Sequence, residues 1–432
     1  MAPARRTGQR VERSTLPNGL TVLSVPDPTA TLVAVAVVYD VGFRTEPEGR
    51  TGFAHLFEHM MFQGSANVGK VEHIKLVESA GGLMNGTTFS EVTSYYEALP
   101  PSGLELALFL EADRMGSLAI TEENLRNQVD VVKEEIRLNV LNRPYGGFPW
   151  ILLPALAFDS YANSHNGYGD FSHLEHATVQ DCNDFYHKYY SPSNAVLTVV
   201  GAVDPDQVTA LAQRYFGAIK QRRTPKRVPS GEPPLKADRH RTVKDLMAPQ
   251  PAVAVGYRSP DPVADLDRYL ASCVLASLLT DGDGSRLRSR LVHRDQLVTD
   301  IGCLIGTFGS DTFYVRDPTL FQVIFHHPGV APTEAVLRVI DEEVDRLAQL
   351  GPTSEELRRV IATSTADLWR SLGSVLERAR VIGSIEVVHR SGELLFELAD
   401  RMQEVTGPDV AAAAADLRGQ HRAVLEIQPG GS

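Results

Sequence analysis

Gly52-Phe-Ala-His-Leu-Phe-Glu-His-Met-Met-Phe62 places His55, Glu58 and His59 in an H-x-x-E-H arrangement within an otherwise apolar run. On a helix of about 3.6 residues per turn, positions 55 and 59 lie one turn apart on one face, with position 58 beside them. Two neutral imidazoles at that spacing can bind one metal ion from one side. The carboxylate between them can then act on a water at the metal's open position. Phe53, Ala54, Leu56, Phe57, Met60, Met61 and Phe62 make the helix apolar nearly all round, so it reads as buried. Three titratable side chains in such a helix need partners, because burying them bare is costly. The five-residue match alone leaves a second reading open, two core histidines satisfied by hydrogen bonds and a salt-bridged glutamate.

Before this helix, Asn18-Gly19 ahead of a β-branched run predicts a hairpin over 14–24, and residues 31–39 (TLVAVAVVY) read as a continuous buried strand. Residues 42–52 form a polar loop. After the helix, 71–80 reads as helical and is stopped by Gly81-Gly82. Residues 83–99, rich in Thr and Tyr, read as two strands. Helices follow over 104–117 and 121–142, the second opening with acidic residues and ending at Arg143-Pro144. A helix over 180–190 leads to a buried strand over 194–203, and Asp204-Pro205 caps a helix ending near Phe216.

Residues 221–245 are basic, rich in Pro and poor in apolar residues, the composition of a linker. The second half repeats the plan. A strand over 252–257 precedes a buried helix over 265–279, in the place the histidine helix holds in the first half. A helix from Gly284, sheet over 311–326, a helix over 332–350 and another from Ser354 follow. The closing Arg422-Ala-Val-Leu-Glu-Ile-Gln resembles Asn194-Ala-Val-Leu-Thr-Val-Val, which marks a two-copy repeat at about 200 residues. Only the first copy carries H-x-x-E-H. The expected division is a metal-bearing domain over 1–222, a linker over 223–245 and a metal-free homologous domain over 246–432.

A chain of 432 residues is too long for one ordinary core and suits two large domains. Net charge of −12 argues against a nucleic-acid partner, which calls for a basic field. Cys182, Cys273 and Cys303 are odd in number and far apart, so neither a disulfide scaffold nor a cysteine metal site is expected. No apolar signal core and no run of 18 apolar residues occurs, so the expectation is a cytoplasmic protein without a membrane partner.

A catalytic zinc takes three protein ligands and leaves one position open. On the helix over 121–142, Leu125, Val129, Val132 and Ile136 define the core face by their 4-3-4 spacing. At about 100° per residue, Glu134 points away from that face and Glu135 lies on its flank. Glu135 is therefore the expected third ligand. Gln128, seven residues earlier on the same flank, is the candidate to orient it.

His55-x-x-Glu-His59, with Glu135 falling 76 positions after His59, is similar to the inverzincin signature. It resembles the pitrilysin/insulinase family, in the shorter branch that includes mitochondrial processing peptidases. Pro17-Asn-Gly-Leu, Gly52-Phe-Ala-His, Asn85, Glu111-Ala-Asp-Arg-Met115, Val131-Val-Lys-Glu-Glu135 and Tyr189-Tyr-Ser-Pro-Ser-Asn194 look like family landmarks in the right order, and they extend the resemblance over most of the chain. The resemblance implies His55, His59 and Glu135 as ligands of one zinc per chain and Glu58 as general base. It implies an α+β fold of two homologous domains, each a mixed, mostly antiparallel sheet with helices packed on it. It also implies peptide substrates bound extended in a closed chamber by strand addition at Asn85, Gly86 and Thr87, where Gly86 replaces the family's usual Ala.

Two departures from the pattern stand out. Gln128 occupies the place of a second glutamate. In the second half, Val292 and Thr299 stand where active relatives carry an Arg and a Tyr, and neither can hold an oxyanion as that pair would. The expectation is a zinc-dependent endopeptidase acting as the catalytic subunit of a heterodimer, with a homologous metal-free subunit supplying the Arg/Tyr pair. The alternatives are a non-catalytic assembly or binding subunit that retains the metal site, and a dedicated leader-peptide processing peptidase.

Overall fold

A computed structural model of the chain describes residues 10–306, 311–329 and 332–430. The Asn18-Gly19 turn, with Gly19 at φ +88°, joins β1 (Glu12–Thr15) to β2 (Thr21–Pro26) in the expected antiparallel hairpin. The apolar run becomes β3 (Val33–Tyr39), buried throughout because both its faces are covered. Helix α1 (Phe53–Met60) carries the histidines, and α2 (Glu72–Ser79) ends at Gly81, whose φ is +80°. β4 (Leu83–Thr88) and β5 (Thr93–Leu99) are the two strands expected over 83–99. α3 (Leu104–Ser117) and α4 (Glu122–Ile136) follow, and α4 runs on into a π-helical turn over Arg137–Leu141.

Short helices α5 (Leu152–Ala157), α6 (Tyr161–Ser164) and α7 (Phe171–Glu175) precede α8 (Val179–Tyr189), β6 (Ala195–Gly201) and α9 (Pro205–Phe216). The first sheet has the strand order β1-β2-β6-β3-β5-β4, with only the β2–β6 pair parallel. β4 is therefore a free edge among the described residues.

In the second half, β7 (Arg239–Asp245) lies inside the stretch expected to be linker. Its run Arg-His-Arg-Thr-Val-Lys-Asp is mostly exposed. Charges on both faces are what an outermost strand tolerates, and they hide it from a hydrophobic pattern. β8 (Ala252–Arg258), α10 (Leu266–Thr280), β9 (Asp300–Ile305) and β10 (Leu320–His326) come next. Sheet expected over 311–326 is thus confined to β10 and joined by β9, whose short Asp- and Gly-bearing run gives little pattern. After α11 (Thr333–Leu350), α12 (Ser354–Ser371), α13 (Val375–His389), α14 (Leu394–Glu404) and α15 (Gly407–Arg418), the chain ends on β11 (Ala423–Pro429).

The second sheet runs β7-β11-β8-β10-β9 with only β7–β11 parallel. Strand for strand this is the topology of β2-β6-β3-β5-β4, so each half does close on an equivalent strand. The fold is α+β, two mixed and mostly antiparallel sheets with helices on them. No helix among the described residues is long and apolar enough to cross a membrane.

The two compact units do not follow the chain division at 222 and 246. One comprises residues 1–133, 168–228 and 370–396, the other 134–167, 229–369 and 397–432. The boundary after Lys133 falls inside α4, which passes through it unbroken. Residues 370–396 join the first unit because α13 packs on β3, β5 and β6. Its Gly383 is so close to that sheet that a Cβ would stand 2.7 Å from Val38 Cγ2. Charges on α13 are neutralised there, by Arg378 to Asp27 at 2.6 Å and by Arg13 to Glu386 at 2.5 Å.

Candidate metal centre

α1 begins at a tight point. Gly52 precedes it with φ +94°, and a Cβ there would stand 2.5 Å from Gly169 Cα. The buried carboxylate of Glu46 accepts the backbone N–H groups of Gly52 and Ala54, each at 2.8 Å. An anion at a helix N-terminus satisfies donors the helix itself cannot, and it complements the helix dipole. The loop carrying Glu46 is held by a buried ion pair between Arg44 and Glu91 at 2.6 Å.

His55 is buried, while Glu58 and His59 are half-buried. His55 Nδ1 lies 2.9 Å from the Tyr168 carbonyl oxygen. A carbonyl only accepts, so Nδ1 carries the proton and Nε2 keeps its lone pair. That Nε2 lies 3.3 Å from His59 Nε2. Two nitrogens bound tetrahedrally to one zinc, at about 2.05 Å each, stand about 3.3 Å apart, so the pair has the separation of ligands to a single ion.

α4 buries Leu125, Val129, Val132 and Ile136 and leaves Glu134 exposed, paired with Arg137 at 3.1 Å. Its start is tied to the chain just after α1 by Asn124 Nδ2 donating to the Gln63 carbonyl at 3.2 Å. Glu135, in its last turn, is half-buried, and ligand atoms of His55, His59 and Glu135 all lie within 4.8 Å of one another. Two imidazoles and a carboxylate form the donor set of a catalytic zinc site. Gln128 is buried, and its amide donates to Asn127 Oδ1 at 2.8 Å.

Asn85, Gly86 and Thr87 lie on β4, the free edge. Strand alternation turns Gly86 and Thr88 toward α1, with Asn85 and Thr87 on the other face. A Cβ on Gly86 would stand 3.0 Å from Glu58 Cγ. Thr88 Oγ1 donates to Glu58 Oε2 at 2.6 Å. Asn85 Oδ1 accepts from Gly86 N, and Thr87 Oγ1 meets Tyr96 Oη at 2.8 Å. Thr88, Glu46 and the Tyr168 carbonyl are the parts of the site that sequence reading passes over. Period-two alternation from Gly86 was a usable signal for Thr88; a backbone carbonyl gives none.

His73, Glu97 and Glu111 form a second, fully buried cluster whose ligand atoms lie within 4.8 Å. Here the cation is already present. Arg114 makes a two-point contact with Glu111, and its guanidinium lies 4.4 Å from the Tyr95 ring centroid. Burial, helped by Arg114, lowers the His73 pKa to about 2, and burial with Glu111 nearby holds Glu97 well above the usual carboxylate range. In the second half, Thr299 Oγ1 donates to the His326 carbonyl at 3.2 Å and accepts from Gln250 at 3.0 Å. Val292 lies in the π-helical turn Arg288–Arg294, and Arg294 is engaged with Asp295.

Residues 21–144 match the insulinase family (peptidase family M16), and residues 176–364 match the peptidase M16 inactive domain. A zinc protease of Helicobacter pylori, PqqE, is 30% identical over 368 residues, which is 84% of this chain and 80% of that one. The beta subunit of the mitochondrial-processing peptidase of Lentinula edodes is 25% identical over 88% of this chain and 82% of its own. The crystal structure of a protease from Helicobacter pylori superposes with a TM-score of 0.89 at 26% identity, covering 98% of this chain and all of the other. With the H-x-x-E-H helix, the glutamate on α4 and the duplicated sheet in place, the chain belongs to the insulinase family, peptidase family M16.

Proposed function

We propose that the chain is a zinc-dependent endopeptidase in which His55, His59 and Glu135 hold one zinc ion and Glu58 is the general base. The observation that carries this reading is the convergence of the three ligand atoms within 4.8 Å, with the two Nε2 atoms at 3.3 Å. Zinc in such a site supplies Lewis acidity toward water and toward a peptide carbonyl. Glu58 takes the proton of the attacking water and later hands it to the departing amine. β4 offers its free edge to an extended peptide, whose main chain pairs with the backbone at Asn85, Gly86 and Thr87. His55 keeps its ring orientation through the Tyr168 carbonyl.

Glu58→Gln is expected to retain one zinc per chain and to lose peptide cleavage, measured by metal analysis and by digestion of a mixed peptide library. Full activity in Glu58→Gln would overturn the assignment of the base. His59→Ala is expected to lose the metal itself.

The chain is further proposed to work with a homologous metal-free subunit. Val292 and Thr299 provide no cationic or phenolic donor, and Thr299 already spends its hydroxyl on Gln250 and the His326 carbonyl. A relative that is one subunit of a processing peptidase supports a paired arrangement. Adding a homologue that lacks H-x-x-E-H and carries the Arg/Tyr pair is expected to raise kcat/KM. Equal activity with and without it argues for a chain active by itself.

A further inference from the structure

We propose that Thr88 is the positioning residue of the general base, its hydroxyl fixing the carboxylate of Glu58 in the orientation that takes the proton. This rests on the reading of Glu58 given above. Thr88 Oγ1 lies 2.6 Å from Glu58 Oε2, and among the described residues this is the hydrogen bond Glu58 makes. The threonine is 5% exposed, so its hydroxyl has no ready exchange with bulk water. Behind it stands Thr93, wholly buried, whose Oγ1 lies 3.5 Å from that of Thr88 and donates to the Val41 carbonyl at 2.9 Å. Thr88 and Thr93 are direct cross-strand partners on β4 and β5. The hydroxyl is therefore placed by sheet register, not by metal or substrate.

Gly86 completes the arrangement. It lies two residues back on the same face of β4, and the space its missing Cβ leaves is taken by Glu58 Cγ, 3.0 Å from where that Cβ would be. The Glu58 side chain thus lies along bare backbone and is pinned at its far end by Thr88. A free glutamate must choose among many rotamers. Here Oε2 is engaged and Oε1 remains for the water. A hydroxyl donor on Oε2 can persist while Oε1 gains and gives up the proton, so no regrouping of hydrogen bonds accompanies the transfer.

The test compares Thr88→Val, which keeps the shape and removes the donor, with Thr88→Ser, which keeps the donor. Both are measured as zinc-loaded full chains, with the partner subunit if activity requires it. Thr88→Val is expected to lower kcat by roughly 10- to 100-fold, the worth of a hydrogen bond to a charged group, with little change in KM or zinc content. Thr88→Ser is expected to recover most of the loss. Wild-type kcat in Thr88→Val, or an equal loss in Thr88→Ser, overturns the proposal.

A second measurement needs no activity. In thermal unfolding, Thr88→Val is expected to lower the Tm of the wild type and not that of Glu58→Ala, since the hydroxyl has then lost its acceptor. An equal drop in both backgrounds overturns the pairing. Failure of the general-base reading looks different, because Glu58→Gln would then stay active whatever stands at position 88.

Discussion

Glu46 and Gly52 show how much of the proposed metal site is settled by residues outside its proposed ligand set. Glu46 accepts two backbone N–H groups at the start of α1, and exchanging its carboxylate for an amide turns an N–H donor toward one of them. Glu46→Gln is expected to cost about 1–3 kcal/mol of stability, the penalty of a buried unmet donor, and to weaken zinc retention against a chelator. Unchanged unfolding and unchanged retention would show the cap to be dispensable. Gly52→Ala meets both a left-handed backbone and the Gly169 Cα at 2.5 Å, so it is expected to displace the 168–170 segment and with it the carbonyl that orients His55. His73 sets a pH dependence. Burial keeps it neutral in the folded chain, with its pKa lowered to about 2, whereas the unfolded chain takes up that proton near pH 6.5. Below that point the unfolded state binds one proton more at this residue, so His73 by itself contributes a loss of about 1.4 kcal/mol of folded stability per pH unit as acid is added, which the raised pKa of Glu97 opposes. His73→Gln is expected to flatten the decline of Tm between pH 6.5 and 4. A slope identical to that of the wild type would assign the acid sensitivity to other groups.

Helices and strands differ in how plainly the sequence announces them. β3 and β6 are Val-rich strands buried on both faces, and α1 is apolar nearly all round, so each reads directly. On α4 the 4-3-4 spacing correctly separates exposed Glu134 from half-buried Glu135, because helix geometry alone decides which side a residue takes. β7 is missed because an exposed edge strand needs no apolar face. α13 is not singled out by the sequence, for the opposite reason. Arg378, Arg380 and Glu386 look like a solvated face, yet all three are buried, and Asp27 and Arg13, the partners of Arg378 and Glu386, lie some 350 or more positions earlier in the chain. Pairings at that distance leave no local pattern. The Glu58–Thr88 contact is half legible: alternation puts Thr88 on the face of Gly86, but only the fold shows that this face of β4 meets α1. Seating α13 also needs Gly383, where a Cβ would stand 2.7 Å from Val38 Cγ2 and 2.9 Å from Thr198 Oγ1. Gly383→Val overfills that contact and is expected to cost about 1–3 kcal/mol in urea unfolding, with zinc stoichiometry kept in the folded fraction. A stabilised variant would mean the helix can retreat from the sheet.

The duplicated five-strand topology invites the view that the chain is two consecutive domains, each able to stand alone. The compact units argue otherwise, because residues 370–396 belong with the first sheet and residues 134–167 with the second. Cutting the chain at 222 removes α13 from the face of β3 and β6 that presents Ala34, Ala36, Val38, Val196 and Val200, all buried in the intact chain. Each large apolar side chain so exposed forfeits about 1.5–3 kcal/mol, and the Arg378–Asp27 ion pair is lost as well. Against a net stability of about 5–15 kcal/mol, that sum is decisive. Fragment 1–222 is therefore expected to aggregate or to bind a hydrophobic dye, and to hold less than one zinc per chain although all three proposed ligands are present. A peptide of residues 370–396 added in trans is expected to raise both solubility and zinc content. If 1–222 is monomeric, unfolds cooperatively and holds a full equivalent of zinc alone, α13 is an accessory cover and the first half is a self-sufficient metal domain.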